Sequence, residues 1–121
     1  MHASSRILLV DDTPENLDVL SAILEDLHCQ LMVATTGERA IELAQKQNPD
    51  LMLLDVMMPG MNGFEVCAFL KADPATSRIP IIFVTARTDD ISIGFSVGGY
   101  DYISKPINLQ ELASKLTTYL G

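Results

Sequence analysis

Carboxylate side chains follow two short apolar runs in the sequence. Asp11 and Asp12 come directly after residues 7–10, and Asp55 comes directly after residues 51–54. Carboxylates placed together repel one another and raise each other's pKa, unless a cation neutralises them. Magnesium prefers oxygen ligands and is usually held by one or two carboxylates, several waters and a substrate phosphate. The pattern therefore predicts a divalent cation site that serves phosphoryl chemistry.

Two more polar side chains lie at the ends of further apolar runs. Thr85 follows residues 81–84, and Lys105 lies two positions beyond the weaker run at residues 100–103. An aspartate that forms an aspartyl phosphate needs a metal to offset charge and hydrogen-bond donors for the phosphoryl oxygens. Thr85 and Lys105 are candidate donors, and Asp55 is the candidate nucleophile. Each of these residue types is common in strands and turns, so the prediction depends on their occurrence together.

Short apolar runs alternate with helical patterns along the chain. The runs cover residues 7–10, 31–34, 51–54, 81–84 and 100–103. Nearly continuous apolar character is typical of strands that are buried on both faces of a sheet. Thr13 and Pro14 predict a helix start, and Asn108 three residues before Glu111 resembles a capping box. The alternation predicts an α/β fold with a doubly wound five-stranded parallel sheet, in which ligands bind beyond the carboxyl ends of the strands.

The chain has the length and composition of one globular domain. Of its 121 residues, 48% are hydrophobic, and 16 acidic against 8 basic side chains give a formal charge of −8. We expect one domain over residues 1–121, with a short disordered tail at residues 1–5 and no effector domain. No apolar run approaches the roughly 20 residues of a membrane span and no secretory signal is present, so we expect a cytoplasmic protein without membrane contact. The acidic balance disfavours direct binding to nucleic acid.

Four motifs carry a family resemblance. They are LLVDD at residues 8–12, DLMLLDVMMPGMNG at 50–63, VTA at 84–86 and DYISKP at 101–106. In this order and spacing the sequence resembles a response regulator receiver domain, the phosphoacceptor half of two-component signalling, and within that family the chemotaxis regulators. The resemblance covers essentially the whole chain. It implies a flavodoxin-like (βα)5 fold with sheet order 2-1-3-4-5, and a protein that is a phosphorylated switch and not an enzyme.

The resemblance assigns roles to the acidic residues. Asp55 would accept a phosphoryl group from a histidine of a partner histidine kinase or histidine phosphotransfer protein. Asp11, Asp12 and Asp55 would hold Mg²⁺, together with the backbone carbonyl of Met57. These ligands are the oxygen donors that magnesium prefers.

The resemblance also implies how a signal would leave the site. Lys105, in a cis peptide bond with Pro106, would pair with the phosphoryl group, and the Thr85 hydroxyl would move to bind another of its oxygens. Tyr102 would then turn inward and shift the population of the face formed by the fourth helix, the fifth strand and the fifth helix. That face would contact a downstream effector protein or domain, or a second copy of the chain in a homodimer.

Other protein classes are less consistent with the sequence. A flavin module shares the sheet order but needs a phosphate-binding loop rich in Ser, Thr and Gly where this chain has Asp11 and Asp12. Aspartyl phosphatases usually place two aspartates two positions apart, and a histidine phosphotransfer protein would be a helical bundle. A receiver-like interaction domain that is not phosphorylated is the main alternative. The sequence leaves open whether the chain is a stand-alone regulator or a receiver of a larger protein.

The fourth helix is the least typical element. We expect it at about residues 88–97, with Gly94 inside it and with Gly98 and Gly99 after it. An interior glycine costs about 1 kcal/mol relative to alanine. Family members commonly have Gly-Ala where this chain has two glycines. We therefore expect the fourth helix to be the least stable one and the face that it forms to be loosened.

Overall fold

The structure is a computed structural model that describes residues 5–86 and 91–120. Within those residues strands and helices alternate in the order β1 (Arg6–Val10), α1 (Pro14–Asp26), β2 (Gln30–Ala34), α2 (Gly37–Gln47), β3 (Leu51–Asp55), α3 (Gly63–Ala72), β4 (Ile81–Thr85), α4 (Ile91–Ser96), β5 (Asp101–Ser104) and α5 (Leu109–Leu120). The strands form one parallel sheet in the order β2-β1-β3-β4-β5. The predicted fold class and sheet order are confirmed, and each strand lies within one residue of its apolar run.

Apolar side chains on both faces of the sheet explain why the central strands form. All residues of β3 and β4 are buried. Because successive side chains of a strand point to opposite faces, each strand contributes to two clusters. Leu53 and Ile82 pack with side chains of α1 and α5, whereas Met52 and Phe83 pack with side chains of α2 and α3. The strands are thus held firmly from both sides, and their carboxyl ends meet at one edge.

Two predicted helix starts are present, although their caps differ from the prediction. Helix α1 begins at Pro14, but the side chain of Thr13 makes no capping hydrogen bond. At the start of α5, Asn108 Oδ1 accepts a hydrogen bond from the backbone N–H of Glu111 at 2.9 Å. This bond is one half of the capping box that the sequence predicts.

Several expectations concern the ends of the described ranges. Ser5, which we expected in a disordered tail, is buried, and its carbonyl accepts a hydrogen bond from the Gln30 N–H at 2.8 Å. The rest of that tail, residues 1–4, lies outside the described residues, as does the expected start of α4 at residue 88. The end of α4 at Ser96 is within one residue of the expected end. None of the helices in the described ranges has the length and apolar character that crossing a membrane requires.

The glycines of α4 and of the segment after it lie against the sheet. Phe83 of β4 is only 4% exposed, and a Cβ atom placed on Gly94 would lie 2.8 Å from its Cε2 atom. A Cβ atom on Gly99 would lie 2.3 Å from the same Cε2 atom. Both distances are well below the roughly 3.5–4.0 Å at which carbon atoms pack. The two glycines therefore permit close packing on Phe83, where the sequence had suggested a loosened face.

Substitution Gly99→Ala should destabilise the protein by about 1–3 kcal/mol, because the new methyl group overlaps the Phe83 ring. In a Phe83→Leu background the same substitution should cost less, since leucine lacks the outer ring atoms. Urea unfolding of the four proteins gives the coupling free energy, which we expect to be about 1 kcal/mol or more. Additive effects of the two substitutions would contradict the contact.

Candidate functional site

Three carboxylates meet where β1 and β3 end. Val10 and Leu54 are paired in neighbouring strands, so the residues that follow them, Asp11 and Asp55, lie side by side. Asp11 is 1% exposed and Asp55 is 4% exposed, whereas Asp12 is exposed to solvent. One carboxylate oxygen from each of the three residues lies within 4.8 Å of the others. The predicted acidic cluster is therefore present and is mostly buried.

Lys105 brings positive charge to this cluster from the end of β5. Its Nζ atom lies 3.2 Å from Asp11 Oδ2 and 3.5 Å from Asp55 Oδ1. The Lys105 N–H donates to the Thr85 carbonyl at 2.9 Å, and the Lys105–Pro106 peptide bond is cis, as the resemblance implies. Lys105 therefore contacts two of the three carboxylates directly.

Backbone groups that sequence reasoning missed also position the carboxylates. The Thr13 N–H donates to Asp11 Oδ1 at 2.9 Å, and the Met57 N–H donates to Asp55 Oδ1 at 3.3 Å. A Cβ atom on Gly63 would lie 2.4 Å from the Asp55 carbonyl oxygen, so the first residue of α3 lies directly against the Asp55 backbone. Gly63 ends the motif at residues 50–63, and this glycine was the available sequence signal for the close contact.

The start of α3 is fixed by a capping box. Asn62 Oδ1 accepts from the Glu65 N–H at 2.9 Å, and Glu65 Oε1 accepts from the Asn62 N–H at 3.0 Å. The spacing of an asparagine three residues before a glutamate is the sequence signal for this motif. Because α3 begins beside Asp55, these two hydrogen bonds hold the loop between β3 and α3 in place.

The site holds more negative charge than Lys105 balances. Burial, and secondly the charge of Asp11, raise the pKa of Asp55 from its ordinary value of 3.8 to about 6, although Lys105 and the Met57 N–H act in the opposite direction. A raised pKa means that the charged carboxylate is disfavoured where it lies. Oxygen donors with surplus negative charge suit a hard divalent cation such as Mg²⁺. The donor set therefore fits the predicted metal.

Thr85 and Tyr102 lie at different depths relative to the acidic cluster. Asp55 is paired with Val84, so Thr85 lies one residue beyond Asp55 on the neighbouring strand, and it is 3% exposed. Tyr102 is paired with Phe83, deeper in the sheet, and it is half-buried. The structure thus places Thr85 at the edge of the site, and it places Tyr102 away from the carboxylates.

Comparison with known proteins identifies the family. The model of the response regulator receiver domain matches residues 7–117. The chain belongs to this family. The resemblance read from the four motifs is confirmed, and the flavin, phosphatase and histidine phosphotransfer alternatives are set aside.

Individual receivers show how close the similarity is. The chain is 39% identical over 117 residues to the DNA-binding response regulator MtrA of Mycolicibacterium smegmatis, and this match covers 95% of this chain and 50% of MtrA. The chemotaxis protein CheY4 of Vibrio cholerae matches with a TM-score of 0.90 at 29% identity, covering 96% of this chain and 98% of CheY4. The receiver domain of the sensor histidine kinase PA1611 of Pseudomonas aeruginosa matches with a TM-score of 0.90 at 31% identity, covering 98% of both chains. That structure has a magnesium ion in its active site cleft.

Membership of the family decides the class of activity. A receiver domain is a phosphoacceptor switch of two-component signalling rather than an enzyme, and it implies a histidine kinase as partner. Asp11, Asp12 and Asp55 form an acidic triad that is able to hold a metal, with Lys105 beside it. The chain spans about half the length of MtrA and about a quarter of the length of the response regulator PleD of Caulobacter vibrioides.

Replacing the buried charge should stabilise the metal-free protein. Asp55→Asn is expected to raise the free energy of unfolding by about 2–3 kcal/mol at pH 7. The folded wild type binds the Asp55 proton more tightly than the unfolded chain does. Proton binding therefore stabilises the wild type fully below pH 3.8, and this contribution is lost as the pH rises to about 6. The difference between variant and wild type should therefore be small at pH 4, should grow up to about pH 6 and should stay constant above it.

Urea unfolding in the presence of a metal chelator, between pH 4 and pH 8, measures the difference in the free energy of unfolding between Asp55→Asn and the wild type. Asp18→Asn, which replaces an exposed acid of α1, is the matched control and should change stability by less than about 0.5 kcal/mol at every pH. A less stable Asp55→Asn variant at pH 7 would contradict the electrostatic description of the site.

Proposed function

We propose that this receiver is phosphorylated on Asp55 by a phosphohistidine of a partner histidine kinase or histidine phosphotransfer protein, in a reaction that requires Mg²⁺. The observation that carries the proposal is the position of the Asp55 carboxylate, which is buried beside Asp11 and lies 3.5 Å from the Lys105 ammonium group. Nucleophile, counter-charge and oxygen donors come from three different strand ends. An interaction domain without phosphorylation would not need this combination.

In the proposed reaction, a carboxylate oxygen of Asp55 attacks the phosphorus atom. The bond from phosphorus to the donor's histidine nitrogen breaks, and its electron pair stays on the imidazole. Lys105 pairs with the phosphoryl group from its position 3.5 Å from Asp55 Oδ1. The Thr85 hydroxyl, at the end of the neighbouring strand, moves to donate a hydrogen bond to another phosphoryl oxygen.

The metal ligands are proposed to be Asp11, Asp12, Asp55 and the backbone carbonyl of Met57. Met57 is already tied to the site, because its N–H donates to Asp55 Oδ1. When bound, Mg²⁺ would offset the negative charge of the carboxylates and of the phosphoryl oxygens. The magnesium ion in the cleft of the related PA1611 receiver supports this choice of metal.

The proposed output is a shift of population at the face formed by α4, β5 and α5. A phosphoryl group favours one arrangement only if it interacts better with that arrangement. Thr85 and Tyr102 are the proposed switch residues, and they share one small cavity under α4. The partner at this face is proposed to be an effector protein or domain, or a second copy of the chain.

Acetyl phosphate with Mg²⁺ should add one phosphoryl group to the protein, as measured by intact mass. The adduct should be absent without Mg²⁺ and in Asp55→Asn, because the metal and the nucleophile are then missing. Asp50→Asn is a matched control outside the acidic triad and should still be modified. No adduct with donor and metal in excess would favour an interaction domain, and an adduct on Asp55→Asn would place the acceptor elsewhere.

Asp12→Asn should weaken Mg²⁺ binding about tenfold or more, because one of three carboxylate donors is lost. Asp12 is exposed, so the fold should not be affected. Calorimetric titration with Mg²⁺ measures the affinity. Glu15→Gln removes an exposed acid from the first turn of α1 and should leave the affinity within about twofold. Equal losses in both variants would indicate a diffuse electrostatic effect and not a metal ligand.

A further inference from the structure

Helix α4 packs the backbone of Gly94 directly against the sheet. Gly94 is the buried residue of this six-residue helix, while Ile93 and Phe95 are 46% and 47% exposed. Cβ atoms on Gly94 and Gly99 would both lie within 3.0 Å of the Cδ2 and Cε2 atoms of Phe83. The backbones of both glycines therefore pack against the same edge of the Phe83 ring.

The Phe83 ring is held in place from its other sides. Phe64 of α3 packs against it edge to face, with ring centroids 5.3 Å apart. In the sheet, Phe83 is paired with Leu54 of β3 on one side and with Tyr102 of β5 on the other. The Gly99 N–H donates to the Gly94 carbonyl at 2.9 Å, and this hydrogen bond holds the segment after α4 over the ring. A ring confined in this way has no room to swing aside.

The space between Phe83 and the switch residues is small. Thr85, Tyr102, Phe95 and Ile91 line a cavity with Phe83, and the cavity has room for no more than about one water molecule. A phenol ring is several times larger than that space. If Tyr102 turns inward while Phe83 stays in place, Ile91 and Phe95 must move, and α4 must move with them.

We propose that Phe83 is the positioning residue that couples Thr85 and Tyr102 to α4. Phe83 fills the space under α4, so the inward turn of Tyr102 and the displacement of α4 occur as one event. A smaller side chain at this position would let Tyr102 turn while α4 stays in place. This inference rests on the proposed function, because it concerns the response to phosphorylation of Asp55.

The test compares the wild type with Phe83→Leu, as full chains, before and after modification by acetyl phosphate and Mg²⁺. Hydrogen exchange measures the amides of residues 91–96, and the NMR shifts of the ring protons report on Tyr102. In the wild type we expect phosphorylation to change the exchange rates of α4 by about tenfold. In Phe83→Leu we expect a change of less than about twofold, with the Tyr102 shift and the yield of adduct retained.

Two further variants separate coupling from stability. Ile82→Val makes a cavity on the opposite face of β4 and should leave the α4 response intact. Adding Gly99→Ala to Phe83→Leu places a methyl group near the vacated ring position and should restore much of the response. If Phe83→Leu does not fold, Phe83→Met keeps most of the volume but loses the rigid ring, and it should weaken the response.

The outcomes are distinct. A full α4 response in Phe83→Leu, an equal loss in Ile82→Val, or a phosphorylated wild type whose α4 does not respond would each overturn the role of Phe83. Absence of any phosphoryl adduct on the wild type would instead contradict the proposed function on which this role rests.

Discussion

The buried negative charge of Asp55 is the constraint on which the site depends. Its carboxylate lies beside that of Asp11, out of contact with most solvent, and Lys105 is closer to Asp11 than to Asp55. The pKa of Asp55 is raised to about 6 because burial and repulsion outweigh the ammonium group and the Met57 N–H. Any ligand that brings positive charge relieves this imbalance. The charge imbalance that raises the pKa of Asp55 is therefore also what makes the site suitable for a cation.

Such an unfavourable arrangement persists because the fold is stabilised elsewhere. Side chains of β3 and β4 are buried along their whole length, in two apolar clusters on opposite faces of the sheet. The polar residues of the site begin where those clusters end. A parallel sheet brings the carboxyl ends of its strands to one edge, so stability and function occupy different parts of the same strands.

This division explains which features could be predicted from the sequence. Asp11, Asp55 and Thr85 follow local apolar runs, and the sheet topology forces the ends of those runs together. The part played by Thr13 was not predictable in the same way: its residue type favours a helix cap, but its N–H binds Asp11 Oδ1. The close approach of Gly63 to the Asp55 backbone likewise depends on the path of a loop. Local patterns specify elements, whereas these contacts arise only when distant elements are packed together.

The packing of the glycines around α4 also could not be predicted from local sequence patterns. Considered alone, Gly94 lowers helix propensity by about 1 kcal/mol relative to alanine, which suggests a weak helix. The parallel pairing of β4 with β5 brings Gly99 over Phe83 as well, and both glycines become the surface on which the ring packs. Gly94 is the buried residue of this six-residue helix, so the contact with Phe83 is a large part of what holds α4 on the sheet. Since Phe83 and Thr85 lie on the same face of one strand, the ring on which Gly94 and Gly99 pack is a neighbour of the residue that is proposed to respond to phosphorylation.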